Sequence, residues 1–255
     1  MSLIYEPRGK AREYAALACN VYSGCDHACV YCYAPSATFK KFQDFINSKP
    51  RPNFRNLLIN ELKKWNQNKD QVLLSFTCDP YQKLDEEIQD TRFAIQSFHQ
   101  YGFGVCVLTK GGKRSLRDID LFGAKDAFAS TMTFVDHKKS IQWEPGSALP
   151  EERMEVIEKF YNSGIETWIS LEPTIDPEQS LEIIRKTHNF VDLYKIGKLN
   201  YHPLGKTIDW KKYTEEATQL VLSYDRNYLV KNDLKSFIPH GLPQDSRSKV
   251  FSFYQ

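Results

Sequence analysis

Six times along the chain a short apolar run is followed by a loop or a segment with helical spacing, and this alternation is the strongest constraint on the fold. The runs are ALACNVY (16–22), VLLSFT (72–77), GVCVLT (104–109), AFASTMTF (127–134), IETWISLE (165–172) and VDLYKIG (191–197). Their length and their β-branched and aromatic content predict buried strands. FRNLLINELKKW (54–65), TRFAIQSFHQYG (91–102), PEERMEVIEKFYNSG (150–164) and PEQSLEIIRKTH (177–188) predict helices. The last two open on proline followed by acid, as helix N-termini favour. Serial βα units imply a parallel sheet with right-handed crossovers. The expected fold is therefore α/β, a partial (β/α)6 TIM-type barrel open on one side; a flat doubly wound sheet is the alternative that the pattern leaves open. After residue 205 a long helix, YTEEATQLVLSYDR (213–226), precedes an irregular tail. This divides the chain into a barrel over 1–205 and a C-terminal helical extension over 206–255. Open barrels leave strand edges that need cover, so the extension is expected to pack on the barrel and bury Leu220 and Val221.

Composition narrows the setting. Of 255 residues, 41% are hydrophobic and 26% charged, enough for both a core and a solvated surface. No apolar run approaches membrane-spanning length, and MSLIYEPRGK does not read as a secretory signal. The expected location is the cytoplasm, away from membranes, where six cysteines serve as thiols, ligands or catalytic groups rather than disulfides. The formal net charge of +2 does not announce a nucleic-acid protein, although basic residues gather at KPRPNFR, KGGKR, DHKKS and WKK. Those runs are solvated surface unless several of them meet on one face.

Parallel-sheet enzymes place their chemistry at the C-terminal ends of strands, and here those ends are polar. The first leads into GCDHACVYCYAP (24–35). The second ends in Thr77, Cys78 and Asp79, and the third in Thr109 and Lys110. The fourth carries Ser130, Thr131 and Thr133, the fifth Ser170 and Glu172, and the sixth Lys195, Lys198 and Asn200. Cys25, Cys29 and Cys32 form one tight trio with no second pair downstream. Structural zinc wants four ligands, commonly as two separated pairs. His27 could complete such a set only from within the same loop, where the reach is strained. An iron–sulfur cube normally takes four cysteines, and one held by three leaves an iron for a non-protein ligand.

The spacing Cys25-Asp-His-Ala-Cys29-Val-Tyr31-Cys32, directly after the first strand, resembles the hallmark of the radical S-adenosylmethionine (radical SAM) superfamily. NVYSGCDHACVYCYAP, LSFTCDPYQ, VLTKGG, ISLEP and YKIGKLNY, in this order over residues 8 to 205, resemble its spore photoproduct lyase-like branch, also called DNA-repair-photolyase-like. The resemblance implies a [4Fe–4S] cluster on Cys25, Cys29 and Cys32, with S-adenosylmethionine chelating the fourth iron. It implies a lyase- or transferase-type enzyme in which an electron from a reducing partner such as flavodoxin or ferredoxin cleaves the cofactor. The resulting 5′-deoxyadenosyl radical would abstract hydrogen from a substrate. Tyr31 would lie near the adenine and Lys110 would pair with the cofactor carboxylate. Ser130 would touch ribose or methionine, and Thr77 and Asp79 would hold the methionine amino group. Glu172 and Lys195 would face the cavity, although either could instead form a structural ion pair.

Cys19 and Cys106 sit in apolar strands and read as buried, inert thiols. Cys78 could return hydrogen to a product radical, but alignment puts the lyase's donor cysteine at Phe76, so that role does not carry over by position. Three readings of function stand side by side for what is expected to be a monomer. Nucleic-acid repair or modification is favoured by the branch and by Tyr33, Phe39, Phe42 and Phe45, aromatics that could stack on bases. The same chemistry on a peptide or small metabolite suits the near-neutral charge. A non-catalytic metal-binding protein is the third.

Overall fold

In the computed structural model, which describes residues 2–67 and 69–247, a curved sheet of eight strands carries helices on its outer face. In chain order the strands are β1 (Ile4–Tyr5), β2 (Leu17–Cys19), β3 (Tyr22–Ser23), β4 (Lys49–Pro50), β5 (Val72–Leu74), β6 (Val105–Thr109), β7 (Ala127–Thr131), β8 (Glu166–Thr174), β9 (Leu193–Lys198) and β10 (Asn227–Val230). The main sheet runs β1-β2-β5-β6-β7-β8-β9-β10, and β3 and β4 form a separate antiparallel pair. From β2 to β10 every neighbour is parallel; only β1 runs antiparallel, against β2. The six expected strands are all present. A seventh parallel strand, β10, comes from the segment after residue 205, so the sheet runs on past the point at which the sequence pattern changes.

The helices are α1 (Ala34–Ala37), α2 (Phe42–Ile46), α3 (Phe54–Lys63), α4 (Lys83–Ile88), α5 (Asp90–Gln100), α6 (His137–Trp143), α7 (Pro150–Asn162), α8 (Pro177–Thr187) and α9 (Trp210–Ser223). Local chemistry sets their ends. Pro150 opens α7 with Glu151 and Glu152 in its first turn. Asp176 caps α8 by accepting from the Glu178 amide, and Asp209 caps α9 by accepting from the Lys212 amide. That last cap starts α9 three residues before the apolar periodicity does. Val221 of α9 is buried and Leu220 is half-buried against the same core.

Alternation along the strands divides the core in two. Outward-facing residues such as Val72, Val107, Phe128, Ile169 and Ile196 pack with the helices. Inward-facing Ala18, Leu73, Cys106, Ala129, Trp168 and Leu193 fill the inside of the curved sheet. Cys19 and Cys106 are both buried, and the Trp168 indole donates to the Cys106 sulfur at 3.3 Å. No helix among the described residues is long and apolar enough to cross a membrane.

Candidate active site

A cavity of about 410 Å³ opens at the C-terminal ends of the strands, and all three cysteines of the trio line it. Their loop is held from several sides. The Cys25 amide donates to the Phe45 carbonyl at 3.0 Å, the Val30 amide to the Trp143 carbonyl at 2.9 Å, and the Gly146 amide to the His27 carbonyl at 3.0 Å. Gly24 permits the entry turn: its φ is +88°, and a Cβ there would lie 2.3 Å from the Phe45 oxygen. Between the cysteines, His27 is fully buried. Its Nδ1 lies 3.3 Å from Asp79, and its Nε2 lies 3.1 Å from the Arg114 guanidinium. Because arginine only donates, Nε2 accepts and Nδ1 carries the proton toward Asp79. His27 is thus committed to holding the loop, and it is not a fourth ligand.

The thiols therefore form a three-donor set. Among the described residues no three His, Cys, Asp or Glu side chains converge as ligands of a single ion would. Burial pushes the Cys29 thiol up to about 11 and raises Cys25 and Cys32 as well, so their thiolates call for a cationic partner. Soft donors spread along one cavity wall, each free to take its own iron, fit an iron–sulfur cluster with one open position.

Of the other expected residues, Tyr31, Thr77, Cys78, Asp79, Lys110 and Glu172 also line the cavity. Residues 75 to 79 do so consecutively, which strand alternation forbids. The cause is Asn20, whose side-chain oxygen accepts from the amides of Phe76 and Thr77 at 2.8 and 2.9 Å. This ends β5 at Leu74 and turns the chain along the wall. Cys78 is buried, and its sulfur accepts from the Tyr22 amide at 3.4 Å. Asp79 accepts from the Tyr81 amide at 2.9 Å, the Thr109 hydroxyl at 2.6 Å and the Lys110 amide at 2.7 Å. Burial opposes its charge, but His27 and Lys110 outweigh that and hold the carboxyl below its ordinary range. With these partners Asp79 positions its neighbours instead of offering the cavity a free carboxylate.

The Tyr31 hydroxyl donates to Glu144, a buried carboxylate 2.7 Å from the buried Arg153 guanidinium. Burial opposes the charge on Lys110 as well, but Cys29, Glu144 and Asp79 outweigh it and keep the ammonium protonated above the usual lysine value.

Two expected residues lie elsewhere. Ser130 faces away from the cavity, and its hydroxyl donates to the Thr109 carbonyl at 2.7 Å. The next residue, Thr131, takes the inward position and lines the wall. Lys195 points into the inner core below the cavity, 3.7 Å from the Trp168 ring, and donates to the Tyr14 carbonyl at 3.2 Å. Burial pulls its pKa down to about 8. The lysine beside Glu172 is instead Lys231, at 3.6 Å, while the Tyr14 hydroxyl donates to the same carboxylate at 2.7 Å. Sequence reasoning missed Tyr14, Asn20, Glu144, Arg153 and Lys231. Asn20 lies in the first expected strand but its side chain gave no signal, the others lie at no expected strand end, and only the tertiary fold brings them to the site.

Comparison with known proteins decides what this cavity belongs to. Residues 19–191 match the Radical SAM superfamily, and that span includes the cysteine loop and the strands from β3 to β8. The chain belongs to the radical SAM superfamily. An uncharacterized protein of Methanocaldococcus jannaschii is 25% identical over 225 residues, covering 86% of this chain and 80% of that one. A mutant spore photoproduct lyase, solved with AdoMet and dinucleoside spore photoproduct, is similar in fold at a TM-score of 0.66. It is 12% identical, over 88% of this chain and 78% of that one. SuiB of Streptococcus suis bound to S-adenosylmethionine gives a TM-score of 0.58 at 14% identity, over 84% of this chain and 45% of that one.

The protein is a radical SAM enzyme, and its cofactors are a [4Fe–4S] cluster and S-adenosylmethionine. When bound, they supply reductive cleavage of the sulfonium and a 5′-deoxyadenosyl radical. The chain presents the three thiols and the Lys110 ammonium to one cavity.

Proposed function

We propose that this radical SAM enzyme acts on a nucleic acid, with Cys25, Cys29 and Cys32 holding the cluster. The observation that carries this reading is the mouth of the cavity. Tyr33, Phe42 and Tyr201 line it and expose 49%, 38% and 90% of their surfaces, and Arg8, Lys10 and Lys198 line it too. Phe39, 98% exposed, stands in the turn between α1 and α2. Of Tyr33, Phe39, Phe42 and Phe45, only Phe45 is buried. Exposed rings tolerate any base by stacking, and neighbouring cations neutralise phosphates. The fold likeness to spore photoproduct lyase, solved with a dinucleoside photoproduct, supports the same reading. SuiB has been solved with a precursor peptide, so peptides are the control substrates.

Within this reading a reducing partner such as flavodoxin or ferredoxin supplies the electron and the enzyme works as a monomer. Lys110 pairs with the cofactor carboxylate, Tyr31 lies by the adenine, and Thr77 faces the methionine end. Cys78, which lines the cavity, returns a hydrogen atom to the product radical in this reading, although the lyase's own donor position aligns with Phe76.

Two experiments test these assignments. Phe42→Ala should weaken binding of a fluorescent single-stranded oligonucleotide about tenfold, the scale of one lost stacking contact. Wild-type affinity should fall steeply with salt. Tighter binding of peptides than of oligonucleotides, with no salt dependence, would overturn the nucleic-acid reading. Lys110→Ala should keep a full complement of iron yet bind S-adenosylmethionine about ten- to a hundredfold more weakly, as expected for loss of one charge-assisted contact of ~1.5–3 kcal/mol. Unchanged affinity by calorimetry would remove Lys110 from the cofactor site.

A further inference from the structure

The segment that follows β9 has two working sides. On one side Lys198, Leu199, Asn200 and Tyr201 form part of the main cavity wall. On the other side the same four residues, joined by His202, Lys206 and Trp210, line a second hollow, also of about 410 Å³. A ligand in the main cavity is therefore separated from the hollow by a single stretch of chain. We propose that the hollow is a subsite for the nucleotide adjoining the one held in the main cavity, an inference that rests on the nucleic-acid reading above.

Three features of the wall and hollow support this occupant. The first is charge. Lys198 and Lys206 line the hollow, and no Asp or Glu does among the described residues, whereas the main cavity includes Asp79 and Glu172 in its lining. That balance favours an anionic unit. The second is surface. Trp210 donates its indole N–H to the Gly205 carbonyl at 2.7 Å, so its polar group is satisfied and it offers the hollow apolar surface. His202 accepts from the Leu204 amide through Nδ1 at 3.3 Å, which leaves Nε2 as the ring's donor. Apolar aromatic surface beside cations and a donor suits a base with its phosphate.

The third feature is the crest between the two spaces. Tyr201 adopts φ +60°, a conformation that a bulky residue rarely takes, and 90% of its surface is exposed. Its ring lies 5.4 Å from the Lys10 ammonium. A tyrosine held in that backbone shape at the boundary of two cavities is placed to separate neighbouring bases, and Lys10, itself paired with Asp233 at 2.5 Å, steadies the ring.

The test compares the reconstituted holoenzyme with Lys206→Ala and His202→Ala, measuring affinity for a mononucleotide and for a single-stranded hexanucleotide across a salt series. Wild type should bind the hexanucleotide more tightly. Each variant should lose about tenfold on the hexanucleotide and nothing on the mononucleotide or S-adenosylmethionine. Lys206→Ala should also flatten the slope of log affinity against log salt by about 0.7. If wild type shows this length dependence and both variants keep it, the subsite is wrong while the nucleic-acid reading stands. If wild type binds no oligonucleotide, both fall. If an acidic peptide binds more tightly than the hexanucleotide and the variants lose it, the hollow belongs to a peptide and the proposal is overturned.

Discussion

Anaerobic reconstitution of Cys29→Ala with iron and sulfide should yield protein without the charge-transfer absorbance of a [4Fe–4S] cluster and without any cleavage of S-adenosylmethionine. Wild type should take up about four irons, the stoichiometry of a cubane. Cys25→Ala and Cys32→Ala should behave like Cys29→Ala, because all three thiols line one cavity and His27, turned to Asp79 and Arg114, cannot substitute. Cys19→Ala and Cys106→Ala should retain full iron content, since both thiols are buried in the sheet. Full iron and a normal spectrum in Cys29→Ala would remove the loop from the cluster site.

The second large effect should appear in stability. Glu144 and Arg153 are both buried and lie 2.7 Å apart, with Tyr31 donating to the same carboxylate. Burial opposes the charge on Glu144, but Arg153 and Lys110 outweigh it and hold the carboxyl below its ordinary value. Glu144→Ala strands the guanidinium, and stranding one partner of a buried pair costs about 3–5 kcal/mol. For a chain of this size that corresponds to a drop of about 10 °C in the melting temperature. Replacing both partners, Glu144→Ala with Arg153→Met, should recover much of the loss. A double variant as unstable as Glu144→Ala would mean that the damage comes from lost hydrogen bonds, those of Tyr31 to Glu144 and of Arg153 to the Ala148 and Thr131 carbonyls, and not from the stranded charge.

The parts legible in the sequence are those set by local chemistry. Strand length, the proline-acid starts of α7 and α8, and the spacing of three cysteines are all properties of neighbouring residues. They were enough to anticipate the parallel sheet, the superfamily and its cofactors. What escaped depends on distant partners. Ser130 and Thr131 differ by one place along β7, and only the register of the sheet decides which faces inward. Residues 75–79 all reach the cavity because a side chain from Asn20, 56 residues before Phe76, captures two of their amides. Glu172 was expected to face the cavity or to join an ion pair, with no partner for it legible in the sequence. It meets Lys231 because β10, a four-residue strand that periodicity did not announce, pairs parallel with β9.

The two oxygens of Asp79 serve three separate segments of chain: the cysteine loop through His27, the turn at Tyr81, and the end of β6 through Thr109 and Lys110. A mechanic would call such a part a common datum. Each segment takes its position from the same reference, so a shift of the carboxylate carries all of them together and leaves the spacing between Lys110 and the thiols nearly unchanged. Small tolerances elsewhere in the fold then do not accumulate at the place where spacing matters most.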